Sequence, residues 1–221
     1  MRLLKFFRKK KVENTEEKKE KVYGWHAIEE AFEKVYPGQT NPRHFGTLIK
    51  WKLGGSDPLD GISVYDGGDY YHFVTFGLSE VYEKVNENKA VSGYGMEFTL
   101  KLKKGCYSDE ESELKGICGI LQMIARFTFL KNELFLPFEY LYSGQKEGMD
   151  VEEKSNITGF ITVPDTSVEM IDTVNGNVKF VEFIGVTEKE IEAIHKNEIK
   201  VVELYEKLKN DYTDFKRQSV I

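Results

Sequence analysis

The chain has 221 residues, 40% hydrophobic and 13% aromatic, enough for one globular core. No apolar run approaches the roughly 20 residues that cross a bilayer, which excludes an integral membrane protein, and Cys106 and Cys118 alone exclude a disulfide-stapled secreted scaffold. The net charge of −6 conceals an asymmetry: residues 1–21 hold nine Lys and Arg against four Asp and Glu, leaving 22 basic against 33 acidic residues, or −11, in residues 22–221. An acidic body argues against direct nucleic-acid binding, which relies on neutralising phosphates, and favours a neutral or basic partner.

Residues 1–21 read as a basic, charged, flexible tail. Met1–Lys11 interleaves Leu3, Leu4, Phe6 and Phe7 with six basic residues. It lacks the continuous apolar stretch and small-residue cleavage site of a secretory signal. Two readings stand: a solvated arm, or weak contact of residues 1–11 with an anionic membrane surface. A cytoplasmic location is expected.

Residues 22–221 read as one domain. Trp25, Ile28, Phe32 and Val35 recur at helical spacing until Tyr36-Pro37-Gly38 stops the helix. Ile62–Tyr65 and Tyr70–Phe76 are expected strands joined by the turn Asp66-Gly67-Gly68-Asp69. Met96–Lys103 alternates, predicting a strand whose polar face carries Glu97, Thr99, Lys101 and Lys103. Ser112–Lys131 is expected to be helical, with acidic residues 109–113 at the favourable end of its dipole. Leu134–Ser155 reads as irregular. Val168–Val174 and Val178–Ile184 flank Asn175-Gly176, a type I′ hairpin signal. Thr187–Glu190 is a capping box opening a helix through His195, and residues 199–209 predict another. This order predicts an α+β fold, a mixed, mainly antiparallel sheet with helices packed on it.

Motifs for chemistry are absent. The chain has no HExxH, no GxxxxGK[ST], no GxGxxG and no CxxC pair, and Ser79 lacks the second glycine of a nucleophile elbow. Asp57, Asp60, Asp66 and Asp69 are the strongest metal candidates, since hard cations take oxygen ligands. Their spacing is not that of an EF-hand loop, and aspartate is a common turn residue. Turn-making is their expected role. His72 shares a strand face with Tyr70, Val74 and Phe76 and is expected to be a hydrogen-bonded core residue rather than a general base. Cys118 is expected to be inert packing, and Cys106 to lie in a loop where its thiol is either exposed and modestly reactive or simply placed there. No catalytic residue, metal or cofactor is expected.

Several blocks carry a family resemblance. Tyr36-Pro37 is followed by Leu53-Gly54-Gly55-Ser56-Asp57-Pro58-Leu59-Asp60-Gly61-Ile62-Ser63-Val64-Tyr65, then Tyr71–Tyr82 and Ser92–Leu100. Leu121–Phe127 and Phe183–Thr187 continue in order. Together they resemble the Suppressor of fused domain over roughly residues 23–195. The resemblance implies a non-enzymatic binding domain, which in animals clamps an extended peptide of zinc-finger transcription factors between two lobes. At this length one lobe is expected. Short single-domain members resemble bacterial immunity proteins, or antitoxins, that neutralise a cognate toxin such as a nuclease.

The expected function is therefore non-catalytic binding of a cognate toxin domain. The alternative is a regulatory scaffold that accepts an extended peptide by strand addition. An acidic inhibitor is steered onto a basic nuclease, and the sign of the body fits. The candidate contact residues are Asp57, Asp60, Tyr65, Asp66, Asp69, Glu80, Tyr82 and Glu97.

Overall fold

The computed structural model describes residues 22–221, so the expectations for residues 1–21 lie outside the described residues. Helix α1 (Tyr23–Val35) forms as its apolar spacing dictates and ends at Tyr36. Strand β1 (Arg43–Gly46) and a single 3₁₀ turn (Trp51–Leu53) lead to β2 (Gly61–Asp66), β3 (Tyr70–Phe76) and the long β4 (Val91–Lys103). Helix α2 (Glu110–Lys131) starts two residues before its expected position. Asp109 caps it by accepting from the Ser112 N–H, and three glutamates fill its first turn. Then come β5 (Tyr140–Tyr142), β6 (Ile157–Pro164), β7 (Ile171–Thr173) and β8 (Gly176–Thr187). Helix α3 (Glu188–His195), opened by the expected Thr187–Glu190 capping box, is followed by α4 (Val201–Leu208) and β9 (Tyr212–Thr213). Among the described residues no helix is long and apolar enough to cross a membrane.

The strands form one sheet in the order β1-β2-β3-β4-β8-β6-β5, with β7 on β8 and β9 on β4. Pairing is antiparallel except for β4 with β8 and β4 with β9. This is the mixed, mainly antiparallel α+β sheet the element order predicts. Leu114, Ile117, Leu121 and Ile124 of α2 cover one face, over Val64, Phe73, Phe98, Leu100 and Phe183. The other face is covered twice. Ile28 and Phe32 of α1 pack on Tyr65, Val74 and Phe76, while Ile191, Leu204 and Leu208 of α3 and α4 pack on Ile161, Val163 and Ile184.

That double cover corrects the reading of β4. Glu97, Thr99 and Lys101 do not face solvent: all three are buried, and Lys103 alone remains half-exposed. Between the two apolar clusters lies a polar seam. Lys101 Nζ sits 3.0 Å from Glu182 Oε2, 3.5 Å from Asp165 Oδ1 and 2.5 Å from Asp211 Oδ2. Desolvation opposes the Lys101 charge, yet Glu182 and Asp165 hold the ammonium above its ordinary value. Burial also pushes against Asp165, but the adjoining His72 and Lys101 keep its carboxyl well below the usual range. His72 fills the expected core role. Burial lowers its basicity, and because an ionised Asp165 only accepts, Nε2 donates to Oδ2 at 2.8 Å. Its Nδ1 lies 2.7 Å from Tyr36 Oη.

The hairpin also differs from expectation. Thr173 pairs with Gly176, so the turn is centred on Val174-Asn175, one residue early. The cause is long-range. Asn175 Nδ2 donates to the Glu80 and Tyr82 carbonyls at 2.6 and 2.9 Å. Gly176, at φ +108°, lies so close to Val91 that a Cβ would stand 2.7 Å from its backbone. Residues 43–46, 140–142, 157–164 and 212–213 add four strands that the sequence reading does not assign.

Replacing the buried cation tests the seam. Lys101→Met is expected to cost about 3–5 kcal/mol at neutral pH, because Asp165 and Asp211 then lose the buried ammonium beside Glu182, whose own carboxyl burial already holds well above its ordinary value. Their folded-state pKa values rise in the variant, so the penalty shrinks as acid protonates them. Urea midpoints of both proteins at neutral and acidic pH measure this. A loss below about 1 kcal/mol, the worth of an exposed ion pair, would refute the seam's role.

Candidate functional site

The expected contact residues do not converge. Asp57 and Asp60 precede β2, whereas Asp66 ends it and Asp69 follows it, so six steps of extended chain, about 20 Å, separate Asp60 from Asp66. Asp57 pairs with Arg126 of α2 at 2.6 Å. Asp66 pairs with Lys104 and accepts from the Gly68 N–H, as a turn residue does. Among the described residues no group of three or more His, Cys, Asp or Glu side chains is arranged to hold a metal ion. Tyr65, 2% exposed, stacks between Phe32 and Tyr36 and offers no surface to a partner. Cys106 is buried, with its thiol directed at the Lys103 carbonyl and pushed up by burial, so it is not the exposed thiol that its loop allows. Cys118 is packing, its thiol pushed up to about 12 by burial.

Glu80, Tyr82 and Glu97 meet at the β3–β4 connection, and two of them organise it from within. Glu97 is fully buried. Its carboxylate accepts from Ser79 Oγ and Thr75 Oγ1, both at 2.6 Å, and from the Gly77, Leu78 and Ser79 N–H groups at 2.9–3.4 Å. Glu80 likewise accepts from the Val85, Asn86 and Gly93 N–H groups and pairs with Lys84. Tyr82 is half-buried, its hydroxyl 2.8 Å from Lys50 Nζ, which lies 4.0 Å from the ring centroid. These side chains satisfy backbone donors of a long loop that would otherwise go unpaired.

The surface best suited to a partner lies elsewhere, at the β5 end of the sheet. Among the described residues β5 pairs only with β6, which makes it an edge strand. Beside it runs a groove of about 850 Å³ whose apolar walls include Phe127, Leu134, Phe138, Tyr140 and Ile199. Phe127, Leu134, Leu136, Phe138 and Tyr140 are all exposed. His195 at the end of α3 lines the groove, and its Nδ1 lies 3.1 Å from Tyr140 Oη. The sequence reading leaves this stretch irregular. The apolar run Leu134-Phe135-Leu136-Pro137-Phe138 was the signal available, but only pairing with β6 makes an edge of it.

A family model described as Suppressor of fused protein (SUFU) matches residues 55–218, and the chain belongs to that family. Suppressor of fused homolog from Homo sapiens and from Mus musculus are each 29% identical to it, the alignments covering 76% of this chain and 36% of theirs. The chain thus spans about a third of the length of these curated relatives. Among solved structures, a chain of the Sufu–Fu complex superposes with TM-score 0.75 at 27% identity, over 90% of this chain and 93% of that one. Drosophila Suppressor of Fused gives TM-score 0.73 at 26% identity, over 90% and 52% respectively. The expected family and fold are both found.

The Glu97 pocket predicts a pH dependence. Burial pushes this carboxyl from 4.5 up to about 7, although its hydrogen-bond donors favour the charged form. A raised carboxyl binds its proton more tightly when folded, so stability falls as pH rises from the unfolded to the folded value. The expected loss across that window is about 3 kcal/mol. Urea unfolding of wild type and Glu97→Gln from acid to neutral pH isolates the contribution, since the variant has nothing there to titrate. Parallel stability curves would show that Glu97 is not protonated in the fold.

Proposed function

We propose that this chain is a non-catalytic protein-binding domain that seats a segment of its partner along the β5 edge. The observation that carries the reading is an edge strand adjoining an exposed apolar groove. Strand addition draws affinity from main-chain hydrogen bonds, and neighbouring pockets select side chains. Phe127, Phe138 and Tyr140 supply the aromatic surface that dominates such contacts. The buried groups with the most chemical potential are engaged within the fold: His72 with Tyr36 and Asp165, and Glu97 with the 77–79 backbone. Membership of the Suppressor of fused family agrees with a scaffold role, and one relative is described in a complex, Sufu–Fu.

The −11 charge of residues 22–221 favours a second, finer reading, in which the partner is a basic toxin domain held inactive by occlusion. A cytoplasmic setting fits it. Affinity capture with the full chain, compared with a Leu134→Asp, Phe138→Asp double variant, tests the site. Wild type is expected to retain a protein that the variant binds at least about tenfold more weakly, a difference of ~1.4 kcal/mol. Equal capture by both baits would sink the groove reading. If the captured protein arrests growth when expressed alone and the chain relieves the arrest, the immunity reading stands. A harmless partner ends it.

A further inference from the structure

Helix α2 packs on the sheet through Leu114, Ile117, Leu121 and Ile124. On its outward side Ser112, Gly116, Gly119, Met123, Arg126 and Leu130 recur every three or four residues and therefore share one stripe. Met123 is 42% and Leu130 67% exposed, and Gly119 is exposed as well. The stripe changes size at its midpoint. Its N-terminal half, Ser112, Gly116 and Gly119, is small; its C-terminal half, Met123, Arg126 and Leu130, is large.

Gly119 has no cause within the fold. Glycine weakens a helix interior relative to alanine, so a helical glycine calls for a close neighbour. Gly116 has one, since a Cβ there would stand 2.9 Å from Val151 Cγ2. A Cβ on Gly119 would meet nothing within 4 Å among the described residues. The middle of α2 thus carries an open notch, one helical turn, or about 6 Å along the axis, from the exposed Met123.

The stripe is complementary to itself when reversed. With a second α2 laid antiparallel about a two-fold axis level with Leu121, Gly119 faces Met123, Gly116 faces Arg126 and Ser112 faces Leu130. Each pair occurs twice, small against large. The flanking exposed residues match as well. Lys115 comes beside the ring of Phe127, a cation on an aromatic face, and Glu111 comes towards Lys131. Glu111 already pairs with Lys115 at 3.0 Å, but both are more than half exposed, so that contact contributes little and is readily exchanged. The acidic first turn of each helix approaches the basic last turn of the other, and the antiparallel dipoles attract. A parallel arrangement sets Met123 against Met123 and leaves both notches unfilled.

We propose that the outward face of α2 is a self-association surface, on which a second copy of this chain docks antiparallel with Met123 of each copy seated over Gly119 of the other. The same patch serves both copies, so the assembly closes at two. One helix face is smaller than the roughly 800 Å² per partner of a standard interface, so the dimer forms in a concentration-dependent way. The inference does not rest on the groove reading, although Phe127, at the margin of this face, also lines the groove and makes the two surfaces adjoin.

Sedimentation velocity of the full chain over a rising concentration series tests the proposal. Wild type is expected to pass from monomer to dimer. Gly119→Lys places a side chain where the single chain has open space and glycine's helix penalty is removed, so the variant should melt no lower than wild type. It should nevertheless need at least about tenfold more protein to dimerise, because the notch for Met123 is filled. Gly119→Cys and Met123→Cys chains, mixed and oxidised, should cross-link to each other faster than either does alone, which reads the antiparallel register. The native Cys106 and Cys118 are buried, so wild type is the blank. A wild type that stays monomeric, a dimer that Gly119→Lys leaves intact, or cross-linking no faster in the mixture would overturn the proposal. Loss of the captured protein partner in Gly119→Lys, with wild type monomeric, would assign the face to that partner instead.

Discussion

The ammonium group of Lys101 is the constraint on which the rest of the fold turns. It projects from β4 at the point where β8 parts from that strand and β9 takes its place: Thr99 pairs with Glu182, and two residues on Lys101 pairs with Tyr212. Its carboxylate partners come from the β6–β7 connection, β8 and the segment after α4, so the charge is compensated only when all three are in position. Burying an unpaired ion costs several kcal/mol, which makes partial assembly costly. Alternative registers of β8 or β9 would strand one or more of these charges. The seam thus selects among sheet arrangements, whereas the apolar faces reward any arrangement that buries them.

That division explains what the sequence disclosed. Elements with a local cause were legible: the α1 stripe of Ile28 and Phe32, the acidic opening of α2, the Thr187–Glu190 box and the β-branched, aromatic run of β3. β4 reads as a strand, but its alternation alone leaves its polar face to solvent. Alternation reports that Glu97, Thr99 and Lys101 share a side; it does not report what covers that side. The cover is α1 together with chain that arrives more than 60 residues later. β1 and β5 are short edge strands whose existence depends on β2 and β6, so no window of sequence around them carries the signal. The Asn175 turn moved by one residue because its side chain is committed to Glu80 and Tyr82.

The expected contact residues show the same limit. Asp57, Asp66, Glu80 and Glu97 lie within the residues that match the family model, and each supports backbone or a salt bridge in this chain. A family signature concentrates what the fold needs, and a long β3–β4 connection needs carboxylates to satisfy its amides. Residues that hold a loop from inside have few atoms left for a partner. The groove residues Leu134, Phe138 and Tyr140 carry no comparable internal duty.

The molecule therefore reverses the usual placement of side chains in two regions. Lys101, Glu182, Asp165 and Glu97 are charged or titratable and enclosed, while Leu48, Leu53, Leu134 and Leu136 are aliphatic and exposed. The two reversals have different physical consequences. An enclosed charge discriminates strongly among arrangements of its own chain because its interactions depend steeply on geometry. An exposed aliphatic side chain discriminates weakly but gains free energy from any surface that removes it from water. The exposed aliphatic residues lie outside the Lys101 seam, so the charges that discriminate among sheet arrangements and the side chains left in water are carried by separate residues.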